Sequence, residues 1–301
     1  MRKITLAVMA VMTAELVSAQ LFDVGAAKEV TLPQGISVEQ AVINKAGTKV
    51  AYIDMHGTGL GLMDLTTGSH VAVSKKAIAL DLAFSPDGNN LVYDEVTYDS
   101  RHARKVSVKA YNIASRKSST VLSDTRTLNG VSVNNNCVTA IDNGKQRVHK
   151  IVKIDNQTPV LSINLGQLCI TRNGKTEVLS PLGTAGMSYL WPTLSPDGTK
   201  ICFYAAGMGC FTCNLDGSDV KKLGWLRGAK WYDNSTAVGM HDLSDGRFIT
   251  ESAIIAKSAD GTVSQTLVDA STVAIYPSIA EGKIAYSTVD GRLFIVDVTK
   301  K

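Results

Sequence analysis

The chain has 301 residues, a formal charge of +4 from 31 basic and 27 acidic side chains, and an apolar fraction of 45%. So even a balance leaves no electrostatic footprint for nucleic acid. After a short apolar run at 4–12, no segment approaches the ~18–20 uninterrupted apolar residues of a membrane-spanning helix.

In chain order, the first feature is a leader. Arg2 and Lys3 precede the apolar run, and Val17-Ser18-Ala19 offers a small-residue cleavage site, so residues 1–19 read as a secretory signal peptide. The expected mature chain starts at Gln20, is exported to the periplasm or cell surface, and carries no cysteine at its start for a lipid anchor. Loss of Arg2, Lys3 and Glu15 brings the net charge to about +3, a solubility feature.

Residues 28–32 form a lone strand-like run, and then a phrase begins to recur. Residues 84–93 read FSPDGNNLVY and residues 194–203 read LSPDGTKICF. Proline presets φ for the first turn position and glycine accepts the left-handed conformation that closes the turn, so Pro86-Asp87-Gly88 and Pro196-Asp197-Gly198 each predict a β-hairpin. Weaker copies fall at 43–53, 131–141, 231–238 and 277–286, giving a count of six. Each is followed by a second hairpin phrase that turns through Gly or a polar residue, such as 62–68 leading to 71–73, or 213–217 leading to Val220. Two hairpins per repeat make four strands at a period of roughly 37–62 residues, the signature of β-propeller blades.

The expectation is therefore an all-β, six-bladed β-propeller at 20–301, with blades at about 36–75, 78–123, 127–181, 187–224, 228–269 and 273–299. The last repeat stops after three strands. An open sheet edge must be covered, so residues 28–32 are expected to complete the last blade and latch the ring.

The doubled Ser-Pro-Asp-Gly turn, followed by an aliphatic strand and an Asp/Asn-apolar-x-Gly turn, resembles the WD40-like repeat of TolB-type β-propellers. That resemblance implies an exported cell-envelope protein acting through protein–protein contacts. It extends to the propeller only, because the run from Ala19 to Lys28 leaves no room for the α/β domain that precedes the propeller in TolB.

With strands named a to d outward from the axis, the a–b and c–d turns share one face and the b–c and d–a connections the other. The second face holds the irregular sequence, and long loops on a rigid scaffold are where binding residues concentrate. In the second repeat its b–c loop carries Tyr98, Arg101, His102 and Arg104. A long b–c insertion is read at 143–167, with Lys145, Arg147, His149, Lys150 and Lys153, and its portions 148–154 and 160–163 offer an extra hairpin. His241 opens the fifth repeat's loop, while Tyr189, Trp191, Trp225, Trp231 and Tyr276 approach the channel mouth on d–a connections. Positive charge would steer an acidic partner and aromatics would anchor a protein or glycan.

Catalytic patterns are sparse. No Gly-x-Ser-x-Gly elbow occurs, and Ser85 and Ser195 belong to turns. Gly57-Thr58-Gly59-Leu60-Gly61 joins two strands with no following helix, so it reads as a b–c loop and no dinucleotide site. Asp242 and Asp245 read as a solvated loop. The five cysteines are read as small packed residues: Cys210 and Cys213 point to opposite faces of a strand, with a Cys202–Cys213 disulfide as the alternative. The resulting expectation is a monomeric, non-catalytic binding propeller, with no cofactor or metal, that recognises an envelope protein or an acidic or glycan ligand. The alternative is a carbohydrate-active enzyme resembling polysaccharide lyases, with a metal on His102, His149 and His241 over the channel.

Overall fold

The computed structural model describes residues 20–55, 59–133, 137–150, 158–183 and 186–301. The expected leader, together with His56, Gly57 and Lys153, lies outside them. Strand β1 (Phe22–Glu29) is followed by blade 1, made of β2 (Val38–Ile43), β3 (Lys49–Asp54), β4 (Leu60–Asp64) and β5 (His70–Ser74). Blade 2 has β6 (Ile78–Phe84), β7 (Asn90–Tyr98), β8 (Arg104–Asn112) and β9 (Lys117–Thr125). Blade 3 shows β10 (Leu128–Val133), β11 (Cys137–Asp142) and β12 (Lys145–Lys150); blade 4 shows β13 (Val160–Asn164), β14 (Gln167–Arg172) and β15 (Lys175–Leu179). Blade 5 has β16 (Tyr189–Leu194), β17 (Lys200–Ala205), β18 (Gly209–Asn214) and β19 (Lys221–Gly224). Blade 6 has β20 (Arg227–Asp233), β21 (Thr236–Ser244), β22 (Ile249–Ser258) and β23 (Ser264–Val268). Blade 7 has β24 (Ala274–Ala280), β25 (Lys283–Thr288) and β26 (Leu293–Lys300), with β1 as its fourth strand.

The propeller thus has seven blades, and the expected count of six is corrected. The error lies at 143–167, read as one long insertion. Asn143 and Gly144 both have positive φ (48° and 69°), which is a two-residue hairpin turn of the kind whose twist matches the flanking strands. Lys145–Lys150 is accordingly the third strand of blade 3, and Val160–Asn164 is the innermost strand of a further blade. That blade turns through Leu165-Gly166 (50° and 77°) and Asn173-Gly174 (49° and 77°), again with two residues each. Turns this short leave little polar sequence between strands, so two blades read as one.

In each blade the first strand of the sheet is innermost, and β2, β10, β13, β16, β20 and β24 pack on one another around the axis. The core lies between the sheets: Ile53, Leu60, Leu91 and Tyr93 fill the gap between blades 1 and 2, and Leu168, Ile170, Tyr189, Ile201 and Phe203 that between 4 and 5. Such a fully buried side chain contributes about 1.5–3 kcal/mol. Blades 3 and 4 approach closely at Gly130, where a Cβ would stand 2.6 Å from the Leu161 carbonyl oxygen.

Both doubled turns close alike. Ser85 Oγ donates to Asp87 at 2.5 Å and accepts from the Asn90 amide at 2.9 Å; Ser195 donates to Asp197 at 2.6 Å and accepts from the Lys200 amide at 2.9 Å. Gly88 and Gly198 take φ of 72° and 71°.

The ring is latched by β1, antiparallel to β26 from Phe22 opposite Lys300 to Glu29 opposite Phe294. The strand starts six residues before the expected run, because Phe22 is the residue that anchors it. The Phe22 ring meets Tyr232 edge-on at 4.7 Å, and Gln265 Oε1 accepts from the Leu21 and Phe22 amides at 2.7 and 2.8 Å. Val30 and Leu32 instead pack towards blade 1.

Candidate functional site

The b–c and d–a connections gather on one face, and blades 5 to 7 build a cluster there around the channel mouth. Its parts are set by local sequence. In Gly224-Trp225-Leu226-Arg227-Gly228, the short connection from β19 to β20 buries Leu226 completely and leaves Trp225 and Arg227 partly exposed. Leu226 seats because blade 6 has Gly239 beside it, where a Cβ would lie 2.8 Å from Leu226 Cγ. In β16 and β24 the ladder is interrupted by bulges, between Leu190 and Thr193 and between Ile275 and Ser278. The bulged residues Trp191 and Tyr276 each precede a proline and have φ of 48° and 52°. Gly228 (58°) occupies the matching position of β20. A bulky aromatic held left-handed costs about 1–3 kcal/mol, and bulges of this kind re-aim side chains beside functional sites.

The result is a row of rings. Trp191 lies 5.5 Å from Tyr204 and Tyr204 6.5 Å from Trp225, centroid to centroid. The Arg227 guanidinium sits 5.4 Å above the Trp191 ring and donates to Asp242 Oδ2. Trp191 and Trp225 remain 42% and 54% exposed, while the Asp242 side chain is only 3% exposed. Asp242 Oδ1 is buried with no hydrogen-bond partner among the described residues, an acceptor left over at the foot of the cluster. Burial pushes the Tyr204 and Tyr276 hydroxyls up, with Arg227 acting against the shift, so both stay protonated donors at neutral pH. A cation stacked on an indole, exposed aromatic faces and a buried acceptor suit a docking pocket for a side chain.

The remaining expected residues fall elsewhere. Tyr189, expected at the mouth, is buried: its hydroxyl accepts from the Leu182 amide at 3.0 Å and donates to the Gly183 carbonyl at 2.9 Å. Trp231 is likewise buried between blades 5 and 6, donating from its indole to the Thr193 carbonyl at 3.1 Å. Tyr98, Arg101, His102 and Arg104 occupy the tip of the long β7–β8 hairpin, with Tyr98 63% exposed. Asp99 shapes that tip by accepting from the Ala103 and Arg101 amides at 3.0 and 2.9 Å, bonds that hold its carboxyl below the usual range, and it pairs with Arg126. Arg147 and His149 lie on β12, the third strand of blade 3, where an insertion between strands was expected, and His149 stands 3.4 Å from Ser119 Oγ.

His102, His149 and His241 belong to blades 2, 3 and 6, and no group of three or more His, Cys, Asp or Glu that could hold a metal occurs among the described residues. Asp242, read as solvated, is buried on β21; Asp245 is the exposed member, accepting from the Arg247 and Phe248 amides at 2.7 Å each. Tyr204, Arg227 and the role of Asp242 escaped the sequence reading. The one available signal was the apolar Leu226 set between Trp225 and Arg227.

No family model matches the chain, and no curated protein does. Among solved structures, TolB from Acinetobacter baumannii matches with a TM-score of 0.52 at 16% identity, over 79% of this chain and 56% of that one. The β-propeller domain of the Trilobed protease from Pyrococcus furiosus, described as having an open velcro topology, matches at 0.60 and 10%, over 88% and 97%. A chain in the crystal structure of a mitotic checkpoint complex matches at 0.61 and 12%, over 100% and 99%. At these identities the likeness is one of fold alone: the chain is a β-propeller.

Proposed function

We propose that the chain is an exported, non-catalytic recognition propeller of the cell envelope, which takes a protein partner at the channel mouth of blades 5 to 7. The observation that carries this reading is the interlocked cluster of Trp191, Tyr204, Trp225, Arg227 and Asp242. Its two tryptophans stay exposed, and the fold bends β16 into a left-handed bulge to present Trp191. Interface hot spots concentrate in Trp, Tyr and Arg set in partly desolvated pockets. The leader-like residues 1–19 support export, and the resemblance to WD40-like propellers of the TolB type supports an envelope role. The likeness to a chain of a mitotic checkpoint complex supports a partner that is itself a protein.

The test is affinity capture by the tagged chain from an envelope fraction of the cells that make it, with the Trp191→Ala/Arg227→Ala double variant alongside. A stoichiometric protein caught by the natural chain and at least tenfold depleted with the variant is expected. Equal capture by both would remove the cluster from the account, and a partner found only in the cytosolic fraction would remove export.

A further inference from the structure

Blade 5 holds a second arrangement, within the hairpin that carries Tyr204. Cys202 on β17 and Cys210 on β18 are each 1% exposed, and their sulfurs lie 3.4 Å apart. In the register, Cys202 stands opposite Thr212 and Cys210 opposite Tyr204, so the two cysteines are diagonal neighbours on one face of the sheet. Cys213 is opposite Ile201 and packs into the other face, with the core between blades 4 and 5. Cys137 and Cys169 belong to blades 3 and 4.

We propose that Cys202 and Cys210 are an oxidisable pair, which a small disulfide oxidant converts to an intrablade disulfide as the chain folds. One thiolate attacks the oxidant and releases one of its sulfurs as a thiol. The second cysteine then attacks the mixed disulfide and releases the other. Two S–H bonds are lost, one S–S bond forms within the protein, and the oxidant is reduced to two thiols that carry away the two electrons and two protons. The sulfurs must close from 3.4 Å to about 2.05 Å. Diagonal positions stand about 7–8 Å apart, beyond the usual disulfide span, so closure also requires β18 to shift at Cys210, where its pairing with β19 is already irregular.

The timing follows from burial. Both side chains are 1% exposed in the finished blade, out of reach of a dissolved disulfide, and the hydrogen bond to Cys210 and then burial hold the Cys202 thiol well above its ordinary range. Oxidation therefore belongs to folding. The link would span the hairpin that carries Tyr204 and stiffen the middle of the aromatic row. The expected alternative of a Cys202–Cys213 bond is ruled out by the opposite faces of these two residues.

The experiment is to refold the full chain from denaturant with oxidised glutathione, and separately with a thiol reductant. Free thiols are then counted under denaturing conditions and the peptides mapped after chymotryptic cleavage. Expected after oxidation are a fall from five free thiols to three, loss of the mass of two hydrogens, and a bridge joining the peptides of Cys202 and Cys210. A rise in Tm of about 5 °C is expected for so short a loop. The Cys213→Ser variant should behave the same way. Five thiols persisting after oxidative refolding, or a mapped bridge that includes Cys213, would overturn the proposal.

Discussion

Two parts of the loop-bearing face present the same kinds of residue, arginine and aromatic, in opposite ways. On blade 2 the hairpin tip with Tyr98, Arg101 and Arg104 projects outward; the tip is shaped by Asp99, and its side chains stand in solvent. On blades 5 to 7, Arg227 is fixed between an indole and a buried carboxylate, and Trp191 is held by a bulge. Ordering a free side chain on binding costs about 0.5–1.5 kcal/mol, and the second arrangement has met that cost during folding. The comparison assigns equilibrium affinity to the fixed cluster and long-range steering to the projecting charges.

The largest expected effect comes from loosening the latch that closes the ring in which the fixed cluster is held. Phe22→Ala removes the aromatic anchor of β1 beside Tyr232, at the end of blade 7 away from the channel mouth, and should cost about 3–5 kcal/mol in denaturant unfolding. Hydrogen exchange should then rise in blade 7 well before blade 2. Uniform loosening would mean that the latch has no local role.

Next in size is charge reversal of Arg101, Arg104 and Arg147. With the captured partner, the association rate should fall several-fold at low salt and converge on the natural chain's at high salt, while the dissociation rate barely moves. A change confined to dissociation would place these arginines inside the contact.

The smallest effect falls on the turns outside both regions. The side-chain hydrogen bond from Ser195 holds Asp197 below its ordinary range, and that from Ser258 brings Asp260 down to about 2. Folded values below unfolded ones give a contribution fully present above the unfolded pKa of 3.8 and lost as pH falls from there towards about 2. These carboxylates are exposed, so the effect is modest. Tm should be flat above about pH 4 and decline below it, with a shallower decline in Ser258→Ala.

How much of this was legible depended on whether a feature was local in the sequence. The Ser-Pro-Asp-Gly turns announce themselves because proline and glycine fix backbone angles that few other residues share, and they were enough to give a propeller. Blade 4 was hidden because Asn143-Gly144 and Leu165-Gly166 close their hairpins in two residues and leave no loop to mark a boundary, so that the turn at Asn173-Gly174 reads as the second hairpin of the third repeat. The site was half legible. Trp191, Trp225 and Tyr276 were recognisable as aromatics on d–a connections, but Trp231 has the same spacing and is buried between blades 5 and 6. Which ring faces out is decided by the bulge and by the neighbouring sheet, neither of which a strand's own sequence contains. Arg227 and Asp242 are 15 residues apart, across a hairpin, and became partners only once β20 and β21 were paired.

Whether the fixed cluster holds the partner is read from the equilibrium affinity of the captured partner for Trp191→Ala, measured beside that for the Arg101→Glu/Arg104→Glu pair at physiological salt. A loss of about tenfold to a hundredfold is expected for the first and less than about threefold for the second. The reverse order would move the binding centre to blade 2 and remove the cluster of blades 5 to 7 from recognition.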